Sequence, residues 1–420
     1  MAAPQSTPEN SLEPPVAVKR RRVFYIPGYD PIHPRRYREL YRTESASQAA
    51  ISGYGITLSA RQGGAHYGWE VKGVMDGAHV DASVDVLVWS DIVRDSMATS
   101  IPATYAQLFR TAWVYIGSGA LWRLMQLRKG PVIAALYPVG MLLGQLVIAS
   151  LLAALLFWGI NESLFTLIGR AATLLASVGA AAAFISVLRW FKAKDGKFFA
   201  YYLMHDYAYG AATRGANTAA LESRIAQFAS AIAQALDTDV DEVLIVGHSS
   251  GAHLGVSVLA DLLRTGHVPR NGPKLAFLTL GQVVPMVSFL PEATRLRGDL
   301  AYLSASDGLT WVDVTAPGDG CAFALCDPVA VSGVAPPNKR WPLVFSAAFT
   351  RSLSPERWKT LRWRFFRLHF QYMCAFDAPR DYDYFAITAG PQSLSDRYRD
   401  RPPSKSRKET PVNKFTSVVS

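Results

Sequence analysis

The sequence predicts an α/β protein with a mostly parallel sheet, helices on both faces of that sheet, and an inserted two-helix transmembrane hairpin. Short apolar stretches typical of strands alternate with helical stretches over most of the 420 residues, and such alternation favours a parallel sheet. An uncharged run over residues 131–160 is longer than the roughly 20 residues that a helix needs to cross the hydrocarbon core of a bilayer. Because 50% of the residues are apolar, the chain can bury a sizeable core and still carry the insertion.

The strands of the predicted sheet are short apolar runs. In chain order they cover residues 23–26, 54–60, 69–74, 84–89, 242–246, 274–280, 310–316 and, as the last strand, 384–388. Helical periodicity is predicted over residues 35–50 and 218–236. These elements indicate one α/β domain in two parts, residues 22–100 and 191–392, on either side of the insertion.

The insertion is predicted to be a hairpin over residues 131–190. A second apolar stretch, residues 163–188, follows the first after a short break at Asn161 and Glu162, and we expect it to return through the bilayer. Basic residues lie at both outer ends, and this bias predicts that both ends are cytoplasmic. The basic residues are Arg123, Arg128 and Lys129 before the hairpin, and Arg189, Lys192, Lys194 and Lys197 after it.

Small residues on both predicted spans have the spacing of helix contact sites. Gly140 and Gly144 are four residues apart, as are Ala172, Ala176 and Ala180. Such steps let two helices approach closely, within one chain or between two copies. A buried helical hairpin in a soluble protein is the alternative interpretation of the same stretch.

Three further segments flank the predicted domain and hairpin. Residues 101–130 combine aromatic residues with Arg110 and Arg123, a composition typical of an interfacial helix, although an amphipathic helix on the protein core fits equally well. Residues 1–21 are rich in proline and serine with no apolar signal region, and we expect a disordered tail there. Residues 393–420 are polar and basic and are likewise expected to be a disordered tail.

Composition narrows the class of partner. The net charge is +10, but the basic residues gather around the apolar segments and the tails, which favours an anionic lipid bilayer over nucleic acid. Cys321, Cys326 and Cys374 lack zinc-ligand spacing and form no disulfide framework, so a reducing compartment is expected. The chain has no phosphate loop, dinucleotide fingerprint or zinc motif, so neither an organic cofactor nor a metal is predicted.

The motif Gly247-His248-Ser249-Ser250-Gly251 carries the clearest chemical signal. It follows the apolar run 243–246 directly and opens a stretch of small residues. A serine on such a sharp strand-to-helix turn is held clear of the sheet, and the amide of the next residue points at the oxygen of a bound carbonyl. Ser249 is therefore the predicted nucleophile and the amide of Ser250 a predicted oxyanion donor. The alternative is a glycine-rich turn with a solvent-facing serine.

This order of parts resembles the α/β-hydrolase superfamily from about residue 22 to residue 391, with the hairpin as an insertion. The matching motifs are the Gly-His-Ser-Ser-Gly elbow and the early strand that ends in Pro27-Gly28-Tyr29. The resemblance implies a second oxyanion amide just after that strand, at Tyr29 or at Gly28. Members of the family commonly have a His-Gly pair there, whereas this chain has Pro27 in place of the histidine.

The resemblance also implies a base and an acid, in the chain order serine, acid, histidine. The histidines after Ser249 are His253, His267 and His369, and His369 comes late enough to be the base. It precedes the strand predicted last, whereas the family's histidine usually follows the last strand. For the acid, Asp319 lies in the loop after the strand at 310–316, where the family places the residue that orients the imidazole. Asp313 and Asp327 are the alternatives.

The predicted function is that of a membrane-anchored serine hydrolase of esterase or lipase type. The insertion holds the catalytic face near the bilayer, so a small lipophilic acyl ester is the expected substrate, cleaved through an acyl-enzyme. A bacterial inner membrane with the catalytic domain in the cytoplasm is the expected location. An acyltransferase with the same triad and a non-catalytic membrane scaffold that keeps the hydrolase shell are the alternatives, and the sequence does not indicate the oligomeric state.

Overall fold

An eight-stranded sheet forms the centre of the computed structural model, which describes residues 17–61, 63–98, 100–268 and 272–418. Most of the tail predicted at 1–21 lies outside the described residues. The strands are β1 (Arg20–Ile26), β2 (Gly55–Ala60), β3 (Tyr67–Met75), β4 (Ala78–Val86), β5 (Glu242–His248), β6 (Lys274–Leu280), β7 (Thr310–Thr315) and β8 (Leu343–Ser346). The sheet order is β2-β3-β4-β1-β5-β6-β7-β8.

The sheet is mostly parallel, as predicted. The strands from β4 through β1 to β8 pair in parallel, whereas the β2-β3 and β3-β4 pairs are antiparallel. Both faces of the sheet are buried: in β1, Val23 and Tyr25 belong to one hydrophobic cluster, while Phe24 and Ile26 belong to a second cluster. Because successive side chains of a strand point to opposite faces, this alternation confirms that the sheet is covered on both sides.

Helices account for most of the remaining described residues. They are α1 (Arg35–Ser52), α2 (Ser90–Ser96), α3 (Ile101–Gly117), α4 (Ala120–Leu127), α5 (Lys129–Ile168), α6 (Arg170–Ala193), α7 (Asp195–Phe198), α8 (Ala200–Ala212), α9 (Ala219–Leu236), α10 (Gly251–Arg264), α11 (Val284–Ser288), α12 (Thr294–Ala305), α13 (Pro328–Val331), α14 (Phe349–Ser352), α15 (Pro355–Leu361), α16 (Phe365–His369), α17 (Tyr384–Ala389) and α18 (Leu394–Arg397). A short 3-10 helix covers Gln371–Met373.

Helices α5 and α6 are both long and apolar enough to cross a membrane. They form a hairpin, but the turn is at Gly169 and the predicted break at Asn161 and Glu162 lies inside α5. Asn161 continues the helix, and its side chain accepts a hydrogen bond of 2.8 Å from the Thr173 hydroxyl across the hairpin. Gly169 has a φ of 52°, a conformation open to glycine that allows the chain to reverse.

The regularly spaced alanines of α6 and the two glycines of α5, Gly140 and Gly144, have different surroundings. Ala172 and Ala176 are fully buried in α6, so the alanine spacing marks a packed face. Gly140 is exposed, and a methyl group built on either Gly140 or Gly144 would touch nothing within 4 Å. Close packing of the two helices within one chain therefore does not explain the glycine step.

Two strand predictions need correction. Residues 384–388, predicted as the last strand, form helix α17, because the Asp383 side chain caps the amides of Phe385 and Ala386. The last strand of the described chain is β8, a four-residue edge strand that the sequence analysis missed. The strand predicted at 84–89 is β4, which begins earlier, at Ala78, and ends at Val86.

The C-terminal segment lies against the domain as far as residue 418, although it was predicted to be a disordered tail. The Lys408 amide donates to the Leu325 carbonyl at 2.7 Å, and the Asp327 amide donates to the Lys408 carbonyl at 2.9 Å. Near the end of the segment, the Ser417 carbonyl accepts a hydrogen bond of 2.8 Å from the buried Arg297 guanidinium. Hydrogen bonds to its backbone groups hold this polar segment in place. A prediction from composition cannot detect such bonds, because every residue type carries backbone hydrogen-bonding groups.

Candidate active site

The serine motif forms the predicted turn between β5 and α10. Ser249 has a φ of 55°, an uncommon value for a residue with a side chain, and its amide donates to the Leu280 carbonyl at 3.0 Å. The two motif glycines are required by close backbone packing. A Cβ on Gly251 would lie 2.1 Å from the Ile26 carbonyl oxygen, and one on Gly247 would lie 2.8 Å from the Ala252 Cα. The turn therefore presents Ser249 at the carboxyl end of the central strand β5.

The loop after β1 passes directly over this serine. A Cβ on Gly28 would lie 3.0 Å from the Ser249 Cβ and 3.4 Å from its Oγ, so only a glycine fits here without a shift. Within the described residues, the amides of Tyr29 and Ser250 have no backbone acceptor. The structure thus places the two predicted oxyanion donors on loops beside the nucleophile with their N–H groups unclaimed by the backbone.

An acid and an imidazole meet at the ends of β7 and α16. The Asp319 carboxylate contacts His369, with 2.7 Å between Oδ2 and Nδ1, and both side chains are buried. The same Oδ2 accepts a hydrogen bond of 3.0 Å from the Tyr372 hydroxyl, and Oδ1 accepts one of 2.8 Å from the Cys321 amide. These bonds fix the carboxylate, which in turn orients the imidazole.

His369 is positioned by its neighbours as well as by Asp319. Its carbonyl oxygen lies 3.0 Å from the His248 Nε2, and the two imidazole rings are 4.8 Å apart. Gly281 gives the ring its space, since a Cβ there would lie 3.0 Å from the His369 Cε1. Because β8 precedes α16 and residues 384–388 are helical, His369 follows the last described strand. The prediction that His369 precedes the last strand is therefore wrong for the described chain.

One cavity of about 400 Å³ joins these groups. Ser249, Ser250, His369 and Tyr29 line it, as does Gly28, so four of the five predicted site residues, all except Asp319, lie at one opening. Asp319 lies behind His369, in contact with it. A serine and an imidazole therefore line one cavity, and a carboxylate holds the imidazole from behind.

The alternative residues have other roles. Asp313 is buried within β7, accepts a hydrogen bond of 2.6 Å from the Thr279 hydroxyl, and has a pKa raised to about 8 by burial, so it is mostly uncharged at neutral pH. Asp327 caps α13 and forms an ion pair of 2.6 Å with Lys339. His267 is exposed and bonds to Thr265. None of these three predicted alternatives contacts His369 in the described structure.

His253 does line the cavity, one turn after Ser249 on α10. Burial lowers its pKa to about 4, so the imidazole is neutral at physiological pH. Its Nδ1 has no hydrogen-bond partner among the described residues. It therefore lacks the carboxylate that would orient it as a base.

The ligand atoms of Asp319, Cys321 and His369 lie within 4.8 Å of one another, a spacing at which a metal ion could be held. Burial beside Asp319 raises the pKa of the Cys321 thiol well above its usual range, which disfavours the thiolate that a metal requires. Both Asp319 oxygens already accept hydrogen bonds. The cluster therefore fits an acid–imidazole pair better than a metal centre.

The aromatic and charged lining of the cavity was not predicted from the sequence. Arg36 lies here in an ion pair of 3.0 Å with Asp30, and Asp206 on α8 lines the same space. Helix α8 was not predicted, and no motif marks these positions. Only the aromatic composition of residues 201–209 distinguishes that stretch in the sequence.

Fold and site together define an α/β protein with a serine elbow and a carboxylate–imidazole pair at the carboxyl edge of a mostly parallel sheet. No protein-family model, curated protein or solved structure matches this chain.

Proposed function

We propose that the protein is a membrane-anchored serine hydrolase that cleaves a lipophilic acyl ester. The observation that carries the proposal is the Asp319–His369 pair beside a serine on a left-handed elbow, all at one cavity. A buried pair of this kind at the end of a parallel sheet is the arrangement that activates a serine hydroxyl.

The residues divide the reaction between them. His369 accepts the proton of the Ser249 hydroxyl through Nε2 as the oxygen attacks the ester carbonyl, while Asp319 holds the opposite ring nitrogen and stabilises the imidazolium. The amides of Ser250 and Tyr29 donate to the oxyanion that forms. His369 then protonates the leaving alcohol, and water, activated by the same imidazole, releases the acyl group from Ser249.

A second cavity supports the proposal that the substrate has a lipophilic acyl group. It has a volume of about 110 Å³, and almost all of its lining residues are apolar or aromatic. It shares Tyr115, Tyr207 and Met286 with the catalytic cavity and reaches Val132 and Leu136 at the base of α5. An acyl chain bound there would extend from Ser249 toward the hairpin.

The outer surface of the hairpin supports membrane anchoring. Large apolar side chains are exposed along both helices, and burying them in lipid would remove a large apolar area from water. Examples are Ile133, Val147, Leu155 and Trp158 on α5 and Leu174 and Val178 on α6. With the basic residues at both outer ends, this surface supports two spans and a cytoplasmic catalytic domain. A bacterial inner membrane remains our proposed location.

The exposed stretch just before His369 forms a basic aromatic edge that was not predicted from the sequence, and one of its residues, Phe366, lines the cavity. Trp363 is 72% exposed and Phe365 is 48% exposed, and Arg362, Arg364 and Arg367 alternate with them just before His369. Aromatic and basic side chains favour the headgroup region of an anionic bilayer. This edge supports a membrane surface close to the catalytic opening.

The decisive experiment is labelling with a fluorophosphonate probe in detergent. We expect the wild-type protein and the His267→Ala variant, which changes an exposed histidine, to be labelled, and the Ser249→Ala and His369→Ala variants to lose labelling. Retained labelling in Ser249→Ala would mean that another nucleophile reacts. No labelling of the wild type would favour the scaffold, and turnover that depends on an added alcohol or amine would favour an acyltransferase.

A further inference from the structure

Asp206 is a carboxylate in the catalytic cavity without a protein partner. It lies on α8, is partly buried, and has no hydrogen bond or ion pair within the described residues. The two other carboxylates of the cavity are satisfied. Asp30 pairs with Arg36 and accepts a hydrogen bond from Tyr37, and Asp195 accepts bonds from two backbone amides of α8. The Asp206 carboxylate is open to the cavity, so a ligand in that space can supply the partner that the described chain does not.

The groups that face Asp206 offer no positive charge except a protonated His369. Burial raises the pKa of the Asp206 carboxyl to about 7, while the interaction with His369 lowers this pKa. The interacting groups are Tyr29, Tyr115, Tyr202, Tyr207, Cys321 and His369. Arg36, the arginine of the cavity lining, is already paired with Asp30.

Aromatic rings form the walls around this carboxylate. The Tyr29 ring centroid is 6.1 Å from that of Trp89, 6.4 Å from that of Tyr202 and 5.8 Å from that of Tyr209. Phe366 extends the wall toward the opening, 6.5 Å from Tyr202. Aromatic faces attract cations, and a carboxylate among them adds a direct counter-ion for an ammonium group.

We propose that Asp206 and the aromatic wall bind an ammonium group of the substrate, so that the preferred esters carry a cationic amine in addition to the acyl chain. This inference rests on the proposed hydrolase function, because it assigns the substrate of the same cavity. A neutral ester would leave Asp206 without a partner. An ester with an ammonium group would satisfy the carboxylate while its carbonyl lies at Ser249.

Calorimetric titration of the Ser249→Ala protein in detergent tests the ammonium site without requiring catalysis. The probes are choline, 2-aminoethanol and 3,3-dimethylbutan-1-ol, the last being the uncharged carbon analogue of choline. We expect at least one cation to bind about tenfold more tightly than the neutral alcohol. Adding Asp206→Asn should remove that preference, while adding Asp239→Asn, the same change at an exposed position remote in sequence, should keep it.

The pH dependence separates a binding carboxylate from a structural one. Only the ionised form attracts a cation, so affinity for the cation should fall as the pH drops through about 7 and should be flat in Asp206→Asn. Equal affinity for cation and alcohol, or a preference that survives Asp206→Asn, would overturn the inference. Choline binding that depends on Asp206 in a protein that no fluorophosphonate labels would support the ammonium site and reject the hydrolase function.

Discussion

At the scale of single residues, the site depends on close approaches that leave little room for substitution. Ser249 holds a backbone conformation that costs of order 1–3 kcal/mol for a residue with a side chain. The surrounding contacts maintain it: the Ser249 amide bonds to Leu280, and Gly28 and Gly251 admit the neighbouring loops. Strain of this kind is typical of functional sites, where the surrounding structure fixes one productive geometry.

The Asp319 carboxylate should be needed for its charge and its orientation of His369. In Asp319→Asn, the amide keeps the shape but has one acceptor oxygen and an NH2 donor, so it cannot accept from Cys321, Tyr372 and His369 together. The rate of acyl-enzyme formation should therefore fall by roughly 10³ to 10⁴. The measurement is the rate of fluorophosphonate labelling or ester turnover. Asp313→Asn is the matched control: because the pKa of Asp313 is about 8, an asparagine resembles its neutral form and should change the rate little. Equal losses in both variants would contradict the assignment of Asp319.

The sequence predicted the serine turn better than the rest of the candidate site. A strand, a Gly-x-Ser-x-Gly turn and a helix lie together in the chain, so local pattern alone predicts the turn at Ser249. His369 and Asp319 are 50 residues apart in sequence, and their pairing depends on the order of strands β7 and β8 in the sheet. No sequence motif indicated a role for Asp206, because the groups around it come from four distant parts of the chain.

At the scale of helices and strands, local sequence pattern did not predict every element, because capping and strand pairing also determine which structure forms. Residues 384–388 read as a strand because they form a short apolar run, and periodicity does not separate a buried strand from a buried helical turn. The Asp383 side chain accepts hydrogen bonds from the first amides of the segment, and this cap favours the helix. The missed strand β8 has only four residues and follows Pro342, so its place at the edge of the sheet is determined by pairing with β7.

The turn of the hairpin at Gly169 should lie on the side of the membrane opposite to the α/β domain. If α5 and α6 both span the bilayer, a cysteine introduced at the tip should face the side opposite to the catalytic domain. In intact inner-membrane vesicles of known orientation, an impermeant thiol reagent should label Arg170→Cys and Asp239→Cys from opposite sides, and the wild-type protein measures labelling of the native cysteines. Labelling of both positions from one side would reject two spans.

At the scale of the whole molecule, the C-terminal segment ties distant parts of the domain together. Residues 404–418 contact the β8 strand, the loop before α13 and helix α12. The Lys408 ammonium donates to the Gln126 carbonyl at 3.3 Å, at the end of α4. The segment therefore connects the sheet with the helices that lead into the hairpin.

Removing residues 404–420 should destabilise the domain. At least five hydrogen bonds would be lost, each contributing roughly 0.5–1.5 kcal/mol, and Arg297 would lose one acceptor while staying buried. The thermal midpoint in detergent should fall by several degrees, whereas the exposed substitution Lys405→Ala should leave it nearly unchanged. An unchanged midpoint in the truncated protein would indicate a tail that does not stabilise the fold.

The position of the hairpin within the chain has a consequence for biosynthesis. Gly28 and Tyr29 are synthesised before α5 and α6, whereas Ser249, Asp319 and His369 are synthesised after them, and the central strand β1 acquires its partner β5 only then. In the proposed orientation, the ribosome delivers the hairpin to the membrane while β1 is paired with β4 and still lacks its second neighbour, β5. If the protein is the proposed membrane-anchored hydrolase, its active site is therefore completed only in chains whose hairpin has already reached the lipid.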